Sequence, residues 1–194
     1  MSTQPKAFLT PEQYLEIERK AEFKSEYYKG EMFAMAGAGS SHNLIAMNAG
    51  VLLNVQFRGR PCRVYGSDMR ARVSQTGLYT YPDISAVCGR PRLEDDHVDT
   101  LLNPNLIIEV LSPSTEAYDR GRKFEQYRSI PSLMQYVLIA SDRVSVDVYT
   151  RDQEDRWVLT SASKPEDIVQ LMSVECTMRI ADLYDKTDLL DSKA

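Results

Sequence analysis

The segment Leu106-Ile107-Ile108-Glu109-Val110-Leu111 sets an acid inside a run of strand-forming apolar residues. A short, continuously apolar stretch between turn signals reads as a strand covered on both faces, which requires packing layers on either side of a sheet. A carboxylate there is costly unless it is paired or holds a metal. The stretch from Leu78 to Val87 repeats the pattern, a second expected strand with Asp83 inside Tyr81-Pro82-Asp83-Ile84-Ser85-Ala86-Val87. Two carboxylates on two core-like strands point to a metal site.

The bulk of the chain sets modest bounds on this expectation. Its 194 residues suit one α/β domain with a core that needs no disulfide or structural metal. Cys62, Cys88 and Cys176 stand far apart in apolar surroundings without a CxxC spacing, and read as buried thiols of a reducing compartment. Met1 to Pro5 has no apolar run of the signal-peptide kind, and nothing approaches the ~18 apolar residues of a membrane span. A cytoplasmic protein without a membrane partner is expected. A net charge of −5 argues against a non-specific nucleic-acid coat but leaves room for a local basic groove.

Along the chain, Thr10-Pro11-Glu12-Gln13 has the order of a helix start, and a strand pair is expected around Lys29-Gly30-Glu31. From His42 to about Phe57, apolar residues at helical spacing predict a second, largely buried helix. Strands are expected at Arg63 to Tyr65 and Met69 to Val73, and a polar, acidic loop from Gly89 to Pro104. Ser112-Pro113-Ser114-Thr115 predicts a helix running to about Ser129. Strands at Tyr136 to Ala140, Val144 to Tyr149 and Trp157 to Thr160 follow, so 105–140 reads as a βαβ-like unit. The tail from Asp185 is polar and expected to fray.

The chemistry concentrates around that unit. Asp119, Lys123 and Tyr127 recur at i, i+4 and i+8 and share a helix face, with Lys123 leaning back toward the strand that carries Glu109. Two carboxylates, a backbone carbonyl and waters suit Mg²⁺ or Mn²⁺, hard ions that prefer oxygen. A lysine beside them can orient or deprotonate a water and neutralise charge on a pentavalent phosphate. Asp, Glu, Lys and a divalent ion make a minimal phosphodiester-hydrolysis site.

Pro82-Asp83, then Glu109, then a lysine resembles the PD-(D/E)xK restriction-endonuclease-like superfamily. More narrowly, Tyr81 to Ser85, Pro104 to Thr115 and Asp119 to Tyr127 resemble the Uma-two family of endonucleases, as do Glu26 to Glu31 and Ser41-His42-Asn43. The likeness covers roughly Leu9 to Leu183 of a single domain spanning 1–194. It implies an α/β restriction-endonuclease-like fold, a central mixed sheet flanked by helices. It also implies Mg²⁺- or Mn²⁺-dependent cleavage of DNA, with Asp83, Glu109 and the Val110 carbonyl as metal ligands. Homodimers are common among such nucleases, so one is expected here. The chain departs from the superfamily pattern at Leu111, two residues after Glu109, where the lysine usually stands. Lys123, on the following helix, is the expected replacement.

Each residue also has a plainer reading. Glu109 would serve as a structural ion pair with Arg120 or Lys123; Asp119 would pair with Lys123 along a solvated face rather than position it; Tyr127 would simply pack. His42 would cap a helix rather than touch the site. Glu31 or Glu26 would supply a further carboxylate, as an N-terminal acid does in many superfamily members, with Glu31 the auxiliary candidate beside His42 and Asp119. His97 reads as solvated. Two basic runs, Arg58, Arg60, Arg63, Arg70, Arg72 and Arg120, Arg122, Lys123, Arg128, are the candidate phosphate-binding faces. The rival to catalysis is a nucleic-acid-binding or assembly module that keeps the fold without turnover.

Overall fold

Thr10 starts the first helix through a reciprocal capping box: its side chain accepts from the Gln13 N–H, and Gln13 accepts from the Thr10 N–H at 2.8 Å. With Pro11 at the first helical position this gives α1 (Pro11–Glu18) in a computed structural model that describes residues 8–190. The expected strand pair is β1 (Ser25–Tyr28) and β2 (Glu31–Ala34), turning through Lys29 and Gly30, both at positive φ. There follow α2 (Ser40–Gln56), β3 (Cys62–Gly66), β4 (Arg70–Val73), β5 (Leu78–Thr80), β6 (Ile84–Cys88), β7 (Thr100–Leu101) and β8 (Leu106–Leu111). One continuous helix comes next: α3 (Glu116–Tyr118), a π-helical turn (Asp119–Lys123) and α4 (Phe124–Tyr127). The chain closes with β9 (Gln135–Ala140), β10 (Val146–Arg151), β11 (Trp157–Ala162), β12 (Ile168–Leu171), β13 (Cys176–Arg179) and α5 (Ile180–Leu183).

The central sheet has the order β11-β10-β9-β8-β6-β3 and is mixed. Strands β8 and β9 run parallel, joined by the helix between them, while the other pairs are antiparallel. The 105–140 segment is therefore the βαβ unit expected. A second sheet, β2-β1-β5-β4-β7, stands beside it. Alternation along β8 sends Leu106, Ile108 and Val110 into one core with α2, β12, β13 and α5. Ile107 and Leu111 point the other way, onto Tyr127 and Tyr136. Glu109 shares that second face, so it looks at the helix that carries Lys123.

Several expectations need correction. Asp83 does not lie within a strand: Leu78 to Val87 is two strands in two sheets, and Asp83 sits at the crossing between them. Pro82 has no N–H to give to a ladder, so the chain breaks off one sheet there and enters the other. Cys62 and Cys88 are not free thiols. Antiparallel pairing of β3 with β6 sets them directly opposite, with Cα atoms 4.0 Å apart, and they form a disulfide; only Cys176 remains a buried thiol among the described residues. Helix α2 is less buried than its periodicity predicts, for Met47, Val51 and Val55 are at least half exposed. The segment from Asp185 does not fray within the described residues: Thr187 is buried, and Leu189 and Leu190 pack on the core. No described helix is long and apolar enough to cross a membrane.

Candidate active site

Asp83 and Glu109 meet through backbone contacts. The Asp83 N–H donates to Glu109 Oε2 at 3.3 Å, and the Val110 N–H donates to Asp83 Oδ2 at 2.8 Å. Pairing of β6 with β8 ends at Ile84↔Ile108, so the Val110 edge of β8 is open to Asp83. In a strand a residue's C=O and N–H share an edge, so the Val110 carbonyl faces the same side, in the cleft that His42 also lines. On the opposite edge, Leu111 O accepts from the Ser141 N–H beyond β9. Carboxylate, carboxylate and carbonyl thus converge where the two strands separate.

Lys123 enters from the helix above. Its Nζ lies 2.9 Å from Glu109 Oε1, 3.3 Å from Asp119 Oδ1 and 3.6 Å from Glu26 Oε1. Residues 109 and 111 share a strand face, and the helix packs on that face. A lysine borne by the helix therefore reaches the neighbourhood that a lysine at 111 would occupy, while Leu111 itself packs beneath Tyr127 and Tyr136. The π-helical turn spans Asp119 to Lys123, the segment that supplies both residues. Asp119 is not on a solvated face: it is 4 % exposed and Lys123 5 %. Tyr127 does more than pack, since its hydroxyl donates to Glu109 Oε1 at 2.9 Å.

The charge state follows from this enclosure. Burial pushes Glu109 up to about 8; the Lys123 ammonium pulls it down by less, and Asp83 and Asp119 add to the rise. Burial likewise raises Asp119, against the pull of Lys123. Burial disfavours the Lys123 ammonium, but the attraction of Glu109, Asp119 and Glu26 outweighs it and holds Lys123 well above the usual lysine range. His42 Nε2 lies 3.2 Å from Asp83 Oδ2. Burial works to lower its imidazolium, yet the hydrogen bond and charge of Asp83, with the Val110 backbone, raise it overall. His42 is thus a contact of the site rather than only a helix-opening residue, and its buried Nδ1 has no partner among the described residues.

The N-terminal acid in the site is Glu26, not Glu31. Glu26 accepts hydrogen bonds from Thr80 and, at 2.9 Å, from the Tyr118 hydroxyl. Along β1, Tyr27 turns into the cluster with Tyr14 and Tyr79, so its neighbour Glu26 faces the opposite side, toward Lys123. Glu31 sits across the hairpin, paired in register with Tyr28, and does not line the cleft. The cleft, of about 470 Å³, brings together Glu26, His42, Asp83, Glu109, Asp119 and Lys123.

The first basic run is largely spent on structure. Arg70 pairs with Asp99 at 2.8 Å, Arg72 with Glu94, and Arg60 bonds the Val174 carbonyl at 2.7 Å. The acidic loop is thus the partner of this run. In the second run Arg120 bridges Glu116 and Asp147, both at 2.7 Å, while Arg122 and Arg128 remain exposed.

The donor set is all oxygen. Among the described residues no three His, Cys, Asp or Glu side chains group as a metal site. Two carboxylates and one carbonyl remain, which fits a hard ion that keeps much of its water and shares a substrate phosphate, and does not fit zinc.

Residues 11–181 match the profile of the family described as "Uma2: Putative restriction endonuclease". The chain is 34 % identical over 176 residues to "Uncharacterized protein slr1290" of Synechocystis, covering 91 % of each chain. It is 36 % identical over 152 residues to "Uncharacterized protein sll1609" of the same organism, covering 78 % of this chain and 86 % of that one. In fold it resembles a crystal structure from Anabaena variabilis described as "a putative nuclease belonging to DUF820", with a TM-score of 0.74 and 21 % identity over 91 % of this chain and 97 % of the other. The α/β architecture and the family match agree, and the chain belongs to the Uma2 family of restriction-endonuclease-like proteins.

Proposed function

We propose that the protein is a Mg²⁺- or Mn²⁺-dependent endonuclease that hydrolyses phosphodiester bonds in DNA. The observation that carries this reading is the convergence of Asp83, Glu109 and the Val110 carbonyl beside a buried Lys123. Asp83, Glu109 and the Val110 carbonyl would hold the ion. A divalent ion there would polarise a phosphoryl oxygen and favour ionisation of a water. The chain supplies the rest. Tyr127 and the Asp83 N–H fix the two Glu109 oxygens, and His42 and the Val110 N–H fix Asp83. Lys123, anchored on three carboxylates, stays protonated in this arrangement. Its part would be to orient a water and neutralise charge developing on the phosphate. We further propose that the protein acts as a homodimer, with one site for each strand.

Plasmid nicking with Mg²⁺ or Mn²⁺ tests the assignment. Wild type should nick, and Asp83→Ala should lose at least about 100-fold in rate, as expected when a group that organises the reacting centre is removed. Nicking that survives Asp83→Ala overturns the mechanism. Absence of nicking together with absence of calorimetric metal binding favours the non-catalytic module.

A further inference from the structure

A second cavity, of about 460 Å³, adjoins the cleft and shares Glu26, Phe33 and Tyr118 with it. Tyr118 and Glu26, hydrogen-bonded at 2.9 Å, line both spaces. The second cavity's walls are Tyr28, Phe33, Leu78 and Tyr118, and its polar groups are Arg122, Glu125, Glu26 and Gln126. Phe33, on the edge strand β2 of the second sheet, is 48 % exposed and lines the cavity. The Gln126 amide reaches Tyr28 Oη at 3.5 Å from Nε2, while its Oε1 is buried without a partner among the described residues.

We propose that this cavity takes an unpaired nucleobase next to the phosphate being cleaved, an inference that rests on reading the cleft as a phosphodiester-cleaving site. The size is that of a small-ligand pocket rather than a groove for a duplex. The aromatic rings of Tyr28, Phe33 and Tyr118 in its lining suit base stacking, the sequence-tolerant means by which proteins hold unstacked nucleotides. Two acids, Glu26 and Glu125, disfavour a phosphate inside, so a neutral ring fits where an anion does not, and Arg122 is the one cation lining the cavity that would meet the adjoining backbone. The unpaired Gln126 oxygen requires a donor. Every base carries at least one on its Watson–Crick edge, and only an unpaired base has it available. The preferred substrate is accordingly a flap, an overhang or a locally melted site rather than continuous duplex.

The test places 2-aminopurine at an unpaired position of an otherwise duplex oligonucleotide and follows its fluorescence on titration with protein in chelator, where the strand stays uncut. Wild type should give a saturating change, absent when the same base is paired. Phe33→Ala, at a half-exposed residue outside the described core clusters, and Gln126→Leu should each weaken that binding about 10-fold, the size expected for loss of a stacking or hydrogen-bonding contact to a base. No change with wild type, or an unaltered titration in both variants, overturns the proposal. Nicking of plasmid with Mg²⁺ is measured in parallel: loss of the fluorescence change with nicking retained discards the base pocket alone, and the reverse outcome discards the nuclease reading alone.

Discussion

At the scale of the residue, Lys123 carries the greatest weight. It is enclosed by Glu109, Asp119 and Glu26, and removing it leaves three largely buried carboxylates facing one another. Lys123→Met should therefore destabilise the fold by about 3–5 kcal/mol, the range for breaking a buried ion pair from one side. It should also slow nicking about 100-fold or more, as expected for a lost charge-stabilising group. Denaturant melts alongside nicking rates measure both effects. Lys123→Arg, which keeps the charge but changes its shape, should recover stability more than rate. Asp83, Glu109 and Lys123 were each visible in the sequence, because an acid in an apolar run and a helix-spaced lysine are local patterns. Glu26 against Glu31 was not, since that choice depends on which hairpin face turns toward a helix 90 residues further along the chain. The environment of Asp119 was hidden for a similar reason: only the packed sheet closes that helix face to solvent.

Among the elements, the break at Pro82 and the β3–β6 pairing explain how the site opens. Asp83 reads as a mid-strand residue because Tyr79, Tyr81, Ile84 and Val87 are all strand formers, and nothing local reveals that two sheets divide between them. The disulfide was equally illegible, since 26 residues separate Cys62 and Cys88 and only the strand register makes them neighbours. A cross-link closing a loop of that length should contribute about 3 kcal/mol. Cys62→Ser, or reduction with a thiol, should lower the melting temperature measurably, while the same reductant should leave a Cys62→Ser, Cys88→Ser double variant unchanged. The elements of the βαβ unit were legible in outline because their periodicities are strong. The hairpin of β12 and β13 was missed, as its alternate residues point to solvent and dilute the apolar signal.

For the whole molecule, the acidic loop and the first basic run hold the N-terminal helix and the second sheet together. Arg19 hydrogen-bonds Asp99 and, with the charge of Arg70, holds its carboxyl well below the usual range despite partial burial. A carboxyl lowered on folding contributes stability above its unfolded value near 3.9, and that contribution fades as pH falls toward the folded value. Thermal melts from pH 7 to pH 3 should thus show a decline on the acid side, and Asp99→Asn should lower stability at pH 7 and flatten that decline. Met47, Val51 and Val55 form an exposed apolar stripe on α2, at i, i+4 and i+8. Light scattering should give a dimer for wild type if the proposed homodimer holds, and a monomeric wild type would overturn it.

Under the proposed function, Asp83, Glu109 and the Val110 carbonyl together hold a divalent ion. Anomalous diffraction from crystals soaked in Mn²⁺ tests it most directly. One strong peak is expected in the cleft, about 2.1–2.3 Å from an oxygen of each of the three residues. A cleft without a peak at saturating Mn²⁺, or a peak coordinated elsewhere with Asp83 and Glu109 untouched, would contradict it.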